Sequence, residues 1–349
     1  MKWYYSLIFY LALFLNHALA MQADESWYPF SDPTILSQNF EIRFHLLPKA
    51  GQLNSLTKYW SGDYWPLKRG MIDFRWKDKN QKLPVQLDFT KIAELSIEDI
   101  NLLSPAEKLD LLNTDSEFSI KNQIRSQIPF SPKSWEGLCH GWASASIHHQ
   151  EPRTKILKNS QGVRVPFDAS DIKALLSYYY SQYVNHHGFV GKRCENSFPR
   201  NNANCSQDLN AGAFHIIISN FIGLDQKAIV ADLERFNQVW NHPIVGYESK
   251  IIKEIPGRKP NSASGTMRRV KLRTEIFYIS ETINHSQPVL GTSLQNEKSM
   301  TLTYTLELDQ YGLIIGGVWE SFDRPDFLWV PGKVEIFEGK FYRLNELIK

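Results

Sequence analysis

Only three cysteines occur in 349 residues, too few for a disulfide-stapled scaffold. No Cys-x-x-Cys and no His-Glu-x-x-His is present, and His148-His149-Gln-Glu151 has no common metal-ligand spacing. The net charge of +2 is too small to point to a nucleic-acid partner. Beyond the first twenty residues no apolar run is long enough to cross a bilayer. Long repeats and low-complexity tracts are missing too. Gly137-Leu-Cys-His-Gly141 fits the glycine-flanked nucleophile elbow of hydrolases, but the apolar strand that must precede an elbow is absent: Pro132, Lys133, Ser134 and Glu136 stand there.

What is present is enough for a globular core. Hydrophobic residues make up 42% and charged residues 22%, and the length allows one large domain or two smaller ones. Ten tryptophans must pack a core or wall a groove. The N-terminus reads as an export signal. Lys2 is the basic start, residues 4–15 are the apolar run, and Ala18-Leu19-Ala20 is a small-x-small cleavage site. The expected protein is secreted or periplasmic, with no integral span after cleavage. The domain division follows: signal peptide 1–20, an aromatic-rich segment 21–100 packing on the rest, and a catalytic domain 101–349.

Export changes how the cysteines read. Cys194 and Cys205 lie in a polar loop at a spacing that suits a local disulfide, worth roughly 2–3 kcal/mol by loop closure. That leaves Cys139 free, in a Gly- and Trp-rich stretch where a helix begins. A helix N-terminus favours thiolate through the positive end of its dipole, so Cys139 is the expected nucleophile.

Along the chain, residues 40–47 and 71–76 read as strands. Ser104, Pro105 and Glu107 form a capping box that opens a helix. A second helix runs from Cys139 to about His149. A third follows Ser170, with Ile172, Leu175, Leu176, Tyr179 and Tyr183 at helical spacing. Residues 214–222 are mostly β-branched and read as a strand in a hairpin with 228–233. Residues 256–266 form a flexible basic loop, and 270–279, 300–308, 313–320 and 327–330 are strands. Helices in the middle and strands towards the end indicate an α+β fold.

A nucleophilic cysteine needs a base, and the base an orienting group. His140 is sequence-adjacent and would face away from Cys139 on a helix. His148 and His149 lie on the same helix, and His186 and His187 follow a helix end. His215, at the start of the 214–222 strand, is the expected base. Asp232 on the partner strand is the expected orienter, with Asn237 and Asn241 as alternatives. Trp135, Trp142 and Trp240 are the expected walls of a substrate groove.

Trp135-Glu-Gly-Leu-Cys-His-Gly-Trp-Ala143 resembles the cysteine motif of the transglutaminase elicitor family, found in Phytophthora cell-wall proteins and in bacterial relatives. Val239-Trp-Asn-His-Pro243 with Gly246 resembles the short peptide by which plants recognise the oomycete members. Leu103-Ser-Pro-Ala-Glu-Lys108, Trp60-Ser-Gly-Asp-Tyr-Trp-Pro66 and Gly316-Gly-Val-Trp-Glu320 are similar to family segments in the same order. The resemblance implies a papain-like cysteine acyltransferase fold, with a central helix bearing the nucleophile and a strand-rich C-terminal half. It implies transfer from a protein glutamine to a lysine amine, with Cys139 as nucleophile and His215 as base. Some family members depend on calcium, which makes calcium a possible cofactor here. Asp323 and Asp326 are acidic but lie in a loop that reads as solvated. A papain-like peptidase, a glutamine deamidase and a non-catalytic surface protein displaying Trp240 and Pro243 are the competing expectations.

Overall fold

A computed structural model describes residues 27, 29–54, 58–193, 209–234 and 238–349. The export signal, Cys194, Cys205 and Asn237 lie outside the described residues.

The longer helices are α1 (Pro105–Leu112), α2 (Ser119–Gln127), α3 (Cys139–His148), α4 (Ala169–Tyr183) and α5 (Ala211–Ile218). The strands are β1 (Ala50–Gln52), β2 (Lys155–Lys158), β3 (Arg164–Phe167), β4 (His187–Gly191), β5 (Ile229–Asp232), β6 (Asn241–Pro256), β7 (Arg268–Ile279), β8 (Glu297–Leu308), β9 (Ile314–Trp319) and β10 (Phe327–Val330). One sheet runs β4-β10-β5-β6-β7-β8-β9, with β1 also paired to β6, and every pairing in it is antiparallel. β2 and β3 form a separate two-stranded ribbon. Mixed helices and an antiparallel sheet make this an α+β fold.

The capping box works as its residues require. The Ser104 side chain takes the Glu107 N–H at 3.2 Å, and the Glu107 carboxylate takes the Ser104 N–H at 3.0 Å. Helix α4 starts at Ala169, one residue before Ser170, so Asp168 is its N-cap and Ser170 lies inside the helix. There the Asp171 carboxylate receives the Asp168 N–H at 2.8 Å. Strand β7 follows its alternation, with the inward residues Leu272, Thr274 and Ile276 buried.

Three expected strands are corrected. Residues 211–218 are helix α5, capped by the Asn210 side chain on Gly212 N at 2.7 Å, and the helix runs on into a wider turn over Ser219–Leu224. The expected 214–222/228–233 hairpin therefore does not form; β5 pairs with β6 and β10 instead. Residues 40–47 make one isolated bridge, Arg43 to Leu313, and then a short 3₁₀ turn at Phe44–Leu46. Met71–Asp73 is likewise a 3₁₀ turn.

Helices α3 and α4 cross closely because Gly141 has no side chain. A Cβ there would lie 2.0 Å from the Ser177 carbonyl oxygen, which belongs to rigid helix backbone. Gly141→Ala must push the helices apart. It is expected to lower the free energy of urea unfolding by about 3 kcal/mol. Trp60, Trp65 and Trp142 are buried in the same core, with the Trp142 indole donating to the Trp60 carbonyl at 3.3 Å.

Candidate active site

Helix α3 is placed by its first turn. Leu138 N–H reaches the Tyr64 carbonyl at 2.5 Å, and Gly137 lies against the same residue, where a Cβ would sit 2.5 Å from that oxygen. The two glycines flanking Cys139 thus serve close packing, one on the Tyr64 segment and one on α4. Cys139 is the first helical residue and is buried.

Among the described residues its sulfur has two polar neighbours, both from the chain entering β6. The Val239 carbonyl accepts from the thiol at 3.6 Å, and the Asn241 side-chain amide donates to the sulfur at 3.7 Å. Asn241 is itself fixed, because the Trp329 indole N–H donates to its Oδ1 at 2.8 Å. Burial pushes the Cys139 thiol up to about 11, against the pull of the Asn241 hydrogen bonds, and the carboxylates of Glu281 and Asp232 add to the rise. The resting sulfur is therefore a thiol. Attack requires a base to remove its proton.

His215 does not meet this sulfur. It lies on α5 with Nδ1 2.8 Å from the Tyr304 hydroxyl, which reaches Thr274 at 2.7 Å and through it Ser249 at 2.8 Å. Ser249 is eight residues along β6 from Asn241, about 26 Å of strand. Burial pushes His215 down to about 3, so its ring is neutral. Together with Phe44, Leu47 and Leu272 it lines a cavity of about 250 Å³ on that part of the sheet.

Asp232 does reach the neighbourhood of Cys139, but not as the partner of His215. It ends β5 opposite Asn241 in the β5–β6 register. One carboxylate oxygen takes the Trp240 N–H at 2.8 Å and the Glu234 N–H at 3.2 Å. The other, Oδ2, is buried with no hydrogen-bond partner among the described residues. Burial pushes its carboxyl up to about 7. Asp232 thus holds the backbone of the segment that contacts Cys139.

The tryptophans separate into rim and core. Trp240 is half-buried and meets the Tyr64 ring edge-on at 5.0 Å; Trp135 is half-buried with the Arg193 guanidinium 5.5 Å from its ring. Trp142 is fully buried and so cannot wall an open groove, contrary to expectation. Its indole packs edge-on against His242, with ring centres 6.2 Å apart. His242, Glu281 and Trp329 belong to this site by position, and the sequence signals none of them beyond the Asn-His pair that opens β6. Among the described residues no three His, Cys, Asp or Glu side chains cluster so as to hold a metal ion.

A family model described as "Transglutaminase elicitor" matches residues 110–335, well over half the chain and all of the Cys139 neighbourhood. The chain belongs to the transglutaminase elicitor family. Its fold is similar to the crystal structure of the GP42 transglutaminase from Phytophthora sojae, with a TM-score of 0.67 and 21% identity, covering 90% of this chain and 94% of that one. At that identity the likeness speaks for the fold. No curated protein matches the chain. Among the described residues, no helix of this family member is long and apolar enough to cross a membrane.

Proposed function

We propose that this protein is an exported cysteine transglutaminase, forming a thioester between Cys139 and the γ-carbonyl of a protein glutamine and passing the acyl group to a lysine amine. The observation that carries the reading is the buried thiol at the start of α3, held by an Asn241 amide that Trp329 locks in place. A structural cysteine in a core needs no oriented donor.

In the first half-reaction the thiol proton leaves to a base, sulfur attacks the carboxamide carbon, and the oxygen takes up negative charge. The unpaired N–H groups of the first turn of α3 and the Asn241 amide are the donors available to that charge. The C–N bond breaks, ammonia leaves with a proton returned by the base, and a thioester remains. An amine then attacks the thioester, gives its proton to the base, and releases the thiol. Water in place of the amine gives deamidation. Half-buried Trp240 lies between Val239 and Asn241, the two residues that contact the sulfur, and shedding water there favours the amine.

The reading of residues 239–243 as a displayed recognition loop fits less well. Asn241, His242 and Pro243 are buried in β6, where Pro243 pairs with Val230.

Casein with a fluorescent primary amine tests the proposal. Incorporation of label without new peptide termini is expected. Cleavage without incorporation would make the protein a peptidase, and release of ammonia without label would make it a deamidase.

A further inference from the structure

We propose that His242 is the general base for Cys139 and that the Glu281 carboxylate orients it. This rests on the reading of Cys139 as an acyl-transfer nucleophile.

The placement comes from α3 and β6 together. Cys139 and Trp142 are three residues apart on α3 and so share a face. Two consecutive residues at the start of β6 pack on that face: Asn241 against the sulfur and His242 against the Trp142 ring. The imidazole is buried at 7% exposure. It is the nearest histidine along β6 to the residue that touches Sγ.

The tautomer follows from the hydrogen bond. Nδ1 lies 3.0 Å from the Ile279 carbonyl oxygen, which can only accept, so Nδ1 carries the proton. The lone pair is on Nε2, which makes no hydrogen bond among the described residues. Glu281 Oε1 lies 3.9 Å from Nδ1 and is otherwise without a hydrogen-bond partner among the described residues. A partly buried carboxylate whose inner oxygen has no other partner among the described residues will stabilise the imidazolium when it forms. Among the described residues His215 has no such carboxylate, and its side-chain hydrogen bond is to a tyrosine hydroxyl.

The proton balance closes on this one nitrogen. Nε2 takes the Sγ proton as the C–S bond forms, and returns it to the departing ammonia. In the second half it takes a proton from the attacking amine and returns it to sulfur. In the resting arrangement the thiol is held on Val239, so its proton must leave that carbonyl before Nε2 takes it.

The groups facing His242 are Trp142 of α3, Tyr278 of β7, Lys298 of β8 and Glu281 after β7. Burial holds the imidazole below its ordinary value and Glu281 pulls the other way. The ring is thus neutral and able to accept a proton at pH 7.

The test is alkylation of Cys139 by iodoacetamide as a function of pH, read on the Cys139 peptide by mass spectrometry in the full-length protein. It needs no transglutaminase substrate. The wild type should show a plateau at neutral pH, set by neutral imidazole, and an alkaline limb from thiolate. In His242→Gln, whose amide can still donate to Ile279, the plateau should vanish. The rate at pH 7 should then fall at least about tenfold, leaving only a limb that climbs about tenfold per pH unit. Glu281→Gln should keep the plateau and move its inflection to lower pH. A plateau that survives in His242→Gln, or one lost in His215→Gln but kept in His242→Gln, overturns the assignment; an unmoved inflection in Glu281→Gln removes the carboxylate from it. If the plateau behaves as expected but the wild type incorporates no amine, the transglutaminase reading fails and the base assignment stands.

Discussion

Cys139→Ala is expected to reduce amine incorporation by about 10⁴-fold or more while leaving the fold intact. Losses of this size follow removal of a covalent nucleophile, because the residual donors and binding contacts cannot replace a bond. The fold should tolerate the change. Cys139 is buried, but among the described residues its sulfur makes only two long polar contacts, to Val239 and Asn241, and alanine keeps the helix start. Incorporation of labelled amine into casein measures the activity, and urea unfolding measures the fold. A parallel loss of both would mean that the cysteine is a core residue. A folded variant that still transfers amine would remove the nucleophile from the account.

Lys108→Met is expected to cost about 3–5 kcal/mol of stability. The ammonium and the Asp171 carboxylate are both fully buried and meet at 2.6 Å. Asp171 also receives the Trp76 indole at 2.8 Å and the Asp168 N–H at 2.8 Å, while Lys108 reaches Asn101 at 3.0 Å. Removing the lysine leaves a carboxylate in a dry site with two neutral donors. Adding Asp171→Leu should recover only part of the loss, because Trp76 and the α4 cap then lose their acceptor. Unfolding by urea across the wild type, both single variants and the double variant measures the coupling. A strength under 1 kcal/mol would mean that water reaches the pair.

Legibility in the sequence tracked how local the signal was. The capping box at Ser104 and the alternating strands of the C-terminal half are short-range patterns, and the chain adopts them. Helix α5 was not legible as a helix. Ile216, Ile217 and Ile218 are buried all round, so no polar face marks the period, and three β-branched residues suggest a strand. The informative residue was Asn210, whose side chain caps the helix. Residues 40–47 alternate correctly, but a strand also needs a partner, and only Leu313 supplies one. Strand β6 was obscured by Pro243 and by its polar second half.

At the site, cysteine arithmetic isolated Cys139 without help from the fold. Its neighbours lie about a hundred residues or more away in sequence and come from β6, β10 and the end of β7, so no local pattern could announce them. Asp232 was found through a hairpin that does not exist; it is near Asn241 because β5 pairs with β6. His242 sits in a stretch whose resemblance suggests recognition, and only the packing of β6 on α3 turns it to chemistry.

The central claim is a covalent acyl group on Cys139. Mixing the protein with a short glutamine-containing peptide in the absence of amine, quenching in acid within seconds and measuring intact mass tests it most directly. The account predicts a species heavier by the peptide less one ammonia, located on the Cys139 peptide and discharged by added primary amine. A protein that turns over the peptide with no such adduct, or that carries it on another residue, would contradict it.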